Sequence, residues 1–179
     1  MTPDTRPLLR TYSRTAKVLH WLIALLIVVQ LVIGWTMPHV RKGTLPVGEI
    51  GWHVTVGVLI TLLVALRIVV RVARPPGGAP RALGLVDRLG QGVHALLYLL
   101  MVVVPVLGWA NANSRDWAVG LAPLFDLPRI MPVGSKLGHD LGDVHSALAV
   151  VLAVLIGLHV LAGLFHHWVR RDDTLRRMI

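Results

Sequence analysis

Four runs of apolar side chains, each about as long as a bilayer is thick, leave this chain few folds: Val18 to Met37, Val54 to Val70, Val93 to Trp109 and Ala147 to Val169. Hydrocarbon offers no hydrogen bonds, so a run of roughly 20 apolar residues crosses as a helix that satisfies its own backbone. The second and third runs are near the short limit. Hydrophobic residues make up 55% of the chain and charged residues 15%. With a mean hydropathy of +0.68, this is far from the profile of a soluble domain. The expected fold is an all-α membrane protein, a four-transmembrane-helix bundle that forms one domain over residues 1–179. The first run lacks a small-residue cleavage site and starts well inside the chain, so it is expected to stay as a span.

The formal net charge of +9 invites a nucleic-acid reading, but the position of the charges argues otherwise. Twelve Lys and Arg residues lie before the first run, between the second and third, or after the last; the other two connections hold five. That asymmetry predicts a membrane protein with both termini cytoplasmic, in contact with anionic lipid and not with nucleic acid. Arg67 is left inside a span.

Nine histidines must be placed in this frame, and their spacing sorts them. His145 and His159 are fourteen residues apart, close to four helical turns, so they share a stripe and lie roughly 21 Å apart along the axis. Polar side chains in a span are costly and face the bundle interior, so two on one stripe predict two buried sites at different depths. His20, near the cytoplasmic start of the first span, matches the depth of His159. His53, at the outer start of the second span, matches His145. Two opposed imidazoles at each depth is the ligand set of a low-spin electron-transfer haem. A zinc site wants four clustered ligands, and these are split by roughly 20 Å. No cysteine is present, which excludes thiolate ligation, iron–sulfur clusters, disulfides and thiol catalysis.

The remaining polar residues are placed around these pairs. Arg67 lies fourteen residues after His53, so it is expected near the inner site, where a haem propionate is the anion at hand. Gly34 lies fourteen residues after His20 and Gly57 one turn after His53, and both are candidates to clear space for a porphyrin face. His94 and Tyr98 occupy successive turns of the third span and His166 lies seven residues after His159; these three are candidates for a quinone or proton-relay site. His94 is also the rival of His20 as inner ligand. Ser13 is expected to cap the first helix and Trp21 to sit at the membrane interface; Gln30 and Gly34 stand out deeper in that span. Pro105 is expected to kink the third span, and the stretch from Trp117 to Phe125 to form a short interfacial helix.

Four stretches carry a resemblance: YSRTAKVLHW, GWHVTVGVLITLLVALRIVVR, HALLYLLMVVVPVLGW and GLHVLAGLFHHWVRRDDTLRRM. Together they resemble the prokaryotic cytochrome b561 family, small four-span di-haem proteins related to the membrane cytochrome b subunits of nickel–iron hydrogenases and formate dehydrogenases. The resemblance implies two haem b per chain, one on His20 and His159 and the other on His53 and His145, in a multi-pass protein of the bacterial inner membrane. It also implies superoxide oxidase activity, with superoxide oxidised at the periplasmic side and ubiquinone reduced in the membrane. The expected partners are ubiquinone, superoxide or another one-electron donor, and the lipid membrane, with a homodimer allowed. Two rival readings are a cytochrome b subunit taking electrons from a protein dehydrogenase or periplasmic cytochrome, and a haem-free transporter whose histidines relay protons.

Overall fold

The computed structural model describes residues 12–73, 84–121 and 123–179. Four long helices carry the fold: α1 (Arg14–Thr36), α2 (Glu49–Ala73), α3 (Leu85–Ser114) and α4 (Lys136–Trp168). All four are long and apolar enough to cross a membrane. Helix α1 starts as expected, with the Ser13 hydroxyl accepting from the Ala16 N–H at 3.2 Å, and it stops at Met37, ahead of Pro38. Pro105 lies within α3, which continues through it. The connection rich in Pro, Gly and Arg between the second and third spans lies for the most part in residues 74–83, outside the described residues.

The end of the bundle where α1 begins and α4 ends is the basal end, and the opposite end the distal one. Helix α1 packs on α2 and α3 on α4, with α2 also meeting α3. Two apolar clusters fill these seams. Ile23 and Ile27 of α1 pack with Ile60 and Val64 of α2, and Leu97, Leu100 and Val104 of α3 pack with Leu152 of α4. The outer surfaces are as apolar as the seams. On α4 the stripe Val150, Val154, Leu158 and Leu161 is exposed, as suits a helix that faces lipid instead of water.

The distal end differs from the expectation. Helix α3 runs five residues past Trp109, and α4 begins eleven residues before Ala147, so 33 residues, about 50 Å of helix, pass through a hydrocarbon core of about 30 Å. Helix α3 ends in a Schellman motif: the Trp117 N–H bonds to the Ala112 carbonyl at 3.0 Å and Asp116 takes a left-handed φ of 66°. The interfacial helix expected over Trp117 to Phe125 does not form. In its place Gly120–Leu121 (β1) pairs antiparallel with Phe125–Asp126 (β2) in a tight hairpin. The reason is steric: a side chain at Gly120 would run into the Phe125 carbonyl, so the glycine admits a closeness of strands that a helix has no use for.

This distal cap is a small core of its own. Ile50, Val58, Ala112, Trp117 and Val119 pack together, and the Trp117 indole N–H reaches the Thr44 carbonyl at 3.1 Å. Asn113, only 1% exposed, joins the pieces: its amide donates to the Trp117 carbonyl and its oxygen accepts from the Ile130 N–H at 2.9 Å. Replacing Asn113 by Ala removes the acceptor of the Ile130 N–H and the donor to the Trp117 carbonyl at a position only 1% exposed. It is expected to cost about 1–3 kcal/mol and to lower the thermal unfolding midpoint in detergent, with little effect on helix content.

Candidate functional site

The helices bring four histidines into two opposed pairs. His20 of α1 faces His159 of α4 with ring centres 6.3 Å apart and planes at 83°. His53 of α2 faces His145 of α4 at 6.0 Å and 84°. The close backbone approach of α4 is to α3; towards α1 and α2 it leaves a seam that the imidazoles enter from both sides. Between the two pairs the stripes are apolar. Seven residues on from His20, His53 and His145 stand Ile27, Ile60 and Leu152, all buried.

The separation of each pair has a chemical meaning. With a metal–nitrogen bond of about 2.0 Å and about 1.1 Å from ring nitrogen to ring centre, two imidazoles on opposite sides of one ion have centres roughly 6.2 Å apart. Both pairs stand at that distance. His94 does not: its ring centre is 5.1 Å from that of His159, and it is exposed on α3. Among the described residues no three His, Cys, Asp or Glu side chains converge to hold a metal ion.

Helix α3 holds one member of the distal pair in place. The His145 Nδ1–H donates to the Val104 carbonyl at 2.8 Å, which leaves Nε2 unprotonated and free to ligate. The approach needs Gly108, because a Cβ there would lie 3.0 Å from the His145 ring. Gly34 does the same for His53, whose Cε1 would be 3.2 Å from a Cβ at that position. The room at Gly57 is taken by the Gln30 amide nitrogen, 3.2 Å from where its Cβ would be. Among the described residues three buried side-chain polar atoms lack a hydrogen-bond partner, and all lie in the distal half: Gln30 Oε1, His53 Nδ1 and Trp109 Nε1. Unpaired buried polar atoms grouped around opposed imidazoles fit a site built around a further group, such as a porphyrin with its propionates.

The basal side is arranged around Arg67. Its Nε donates to the Tyr98 hydroxyl at 3.1 Å and its Nη1 to the Ala16 carbonyl at 2.9 Å, and Arg71 lies 5.8 Å from the Tyr98 ring centre. His166 is placed apart from His94 and Tyr98, its Nδ1 2.6 Å from Asp172 Oδ2. Burial pushes the Asp172 carboxyl up, but hydrogen bonds from Thr174 and His166 outweigh it and hold the group below the usual carboxylate range. The Trp21 indole donates to the Met178 carbonyl at 2.8 Å, and Lys17 bonds to Ile179, so the C-terminal segment is tied to the start of α1. At the distal surface Arg129 pairs with Asp116 and Lys136 with Asp140, so these loop cations are engaged with acids.

Gly108, the Val104 carbonyl and Asp172 are parts of the site that the spacing of histidines does not reveal. Each acts through another element: α3 on a ligand of α4, and the tail beyond α4 on His166.

A membrane bundle that buries opposed imidazoles at two depths is the architecture of a multi-span cytochrome b. Comparison with known proteins gives the family: the family model described as prokaryotic cytochrome b561 matches residues 11–179, and the chain belongs to that family. It is 32% identical to a probable superoxide oxidase, CybB, of Yersinia pestis, over 95% of this chain and 96% of that one. It is 27% identical to cytochrome b561 homolog 2 of Escherichia coli K12, with 94% and 90% covered. It is 31% identical to cytochrome b562 of Cereibacter sphaeroides, with 94% of each chain covered. The chain is thus a multi-pass electron-transfer protein of the bacterial inner membrane, of a family that carries haem b.

Gly108→Leu drives a side chain into the His145 ring and is expected to lower the haem-to-protein ratio of the purified protein. Gly157→Leu is the control: a Cβ at Gly157 meets nothing within 4 Å, and the ratio stays at the unaltered value.

Proposed function

We propose that this chain is a di-haem b-type cytochrome that oxidises superoxide at the outer face of the membrane and reduces ubiquinone within it. His20 and His159 would hold an inner haem b, and His53 and His145 an outer one, two haems per chain. The single observation that carries the reading is the pair of opposed imidazoles, at 6.3 and 6.0 Å, repeated fourteen residues apart along α4. When bound, each haem would supply one-electron exchange.

The chain's own residues do the rest. Val104 holds the His145 ring and fixes its tautomer, and Gly34 gives the His53 side of the seam its clearance. The buried layer of Ile27, Ile60 and Leu152 keeps water out between the two depths. Arg67 has guanidinium N–H groups beyond those given to Tyr98 and Ala16, and these are offered to an inner propionate; the unpaired Trp109 N–H is offered to an outer one. By the distribution of Lys and Arg, the basal end is cytoplasmic and the distal end periplasmic. At the periplasmic end Arg41, Lys42 and Arg115 have no acidic partner among the described residues, and this cationic surface draws an anionic donor by steering.

The reaction balances as two superoxide ions giving two molecules of oxygen and two electrons, with ubiquinone taking two electrons and two protons to become ubiquinol. His166, kept beside an ionised Asp172, is a proton-holding group at the cytoplasmic end, and His94 and Tyr98 are others nearer the inner pair. The name of the Yersinia pestis relative supports superoxide as donor.

Two measurements test this. Purified protein given a superoxide source and ubiquinone is expected to form one ubiquinol per two superoxide ions; turnover only with a protein donor overturns the choice of donor. A pyridine haemochrome titration is expected to give two haems per chain. His159→Ala should keep only the outer one and His145→Ala only the inner one, so each variant retains half the haem. Loss of both from either change means the pairing is wrong.

A further inference from the structure

We infer that Gln30 is a positioning residue for the outer haem, the hydrogen-bond acceptor that orients His53 and raises its donor strength; the inference rests on the haem reading above. The two ligands of the distal pair are unequal. His145 gives its Nδ1–H to the Val104 carbonyl at 2.8 Å, whereas His53 Nδ1 is buried with no partner among the described residues. An imidazole that ligates through one nitrogen carries its proton on the other, and that proton needs an acceptor inside a membrane.

Gln30 is placed to be that acceptor. Its amide nitrogen donates to the His53 carbonyl at 2.9 Å, which settles the orientation of the carboxamide: a carbonyl accepts only from the NH2 end. The oxygen end, Oε1, is therefore left over, and it is the second buried polar atom in this seam without a partner. Geometry keeps the two together. A Cβ at Gly34, one turn along α1 from Gln30, would lie 3.5 Å from His53 Nδ1, so that nitrogen rests against the same face of α1. Gly57, one turn along α2 from His53, leaves the room the carboxamide occupies. A donor without an acceptor and an acceptor without a donor thus share one seam, on two residues already joined by a hydrogen bond.

The bond has a chemical consequence. An acceptor on Nδ1–H pushes electron density towards the ligating nitrogen, which favours ferric over ferrous iron and lowers the reduction potential. The test is a spectroelectrochemical titration of the purified holoprotein, with the outer haem identified as the wave lost in His145→Ala. Gln30→Leu, which fills the space but accepts nothing, should raise the outer midpoint and leave the inner one in place. Gln30→Met repeats the test should Leu fail to fold. Gln30→Glu keeps an oxygen there and should hold the outer midpoint at or below the unaltered value. An outer midpoint that stays or falls in Gln30→Leu, or that rises equally in Gln30→Glu, overturns the inference. A protein that binds no haem between His53 and His145 overturns instead the reading it rests on, and the haem-to-protein ratio tells the two failures apart.

Discussion

A polar group in hydrocarbon must find its partner within the protein, and the whole bundle is arranged to meet that demand for a few imidazoles. Backbone groups are satisfied by making every crossing segment a helix. Side chains have no such general solution, so buried polar side chains draw on neighbouring elements. His145 calls on the backbone of α3, Gln30 on the backbone of α2, and Arg67 on both Tyr98 and the first turn of α1. The glycines follow from this: Gly34 and Gly108 are where an imidazole comes close enough to touch a helix backbone.

Seen from the helices, the bundle is two hairpins, α1 with α2 and α3 with α4, and their shared seam holds the histidines. Apolar packing inside each hairpin is conventional, with Ile, Val and Leu interdigitating. Across the seam the contacts are made by ring against ring at two depths, with an aliphatic layer between. Each depth therefore has an apolar layer above or below it and an imidazole on either side. The distal cap, knotted by Asn113 and Trp117, closes that seam at one end, and the tail beyond α4 lies against the start of α1 at the other.

The parts of this that are legible in the sequence are those set by one helix at a time. Hydropathy finds four spans because hydrocarbon imposes it on each separately, and the fourteen-residue spacing finds the two depths because helical rise and twist are constant. Helix ends were harder. Residues 110–114 and 136–146 contain Asn, Ser, Gly and Asp and look like loop, yet they continue α3 and α4 beyond the apolar run, where water or the cap can serve their polar side chains. The hairpin at Gly120 is hidden for a related reason: the aromatic residues around it suggest an interfacial helix, and the steric need for glycine shows only once the two strands are set side by side. Gly57 and Gly108 exchange significance in the same way. Gly57 is next to a histidine in sequence, but which glycine faces a ring depends on the rotation of one helix against another, a property that no single stretch encodes.

Helix α4 supplies one imidazole to each depth, and between them it is an unbroken rod. The distance between the two layers is consequently quantised by the chain: one residue gained or lost between His145 and His159 moves a ring by about 1.5 Å and swings it about 100° around the axis. No gradual drift in length is open to this segment. The linkers between helices can lengthen or shorten over evolutionary time at little cost, while the fourteen-residue interval behaves as a fixed integer. Lineages that keep both layers are held to it, and a change of spacing has to arrive in steps near whole turns or not at all.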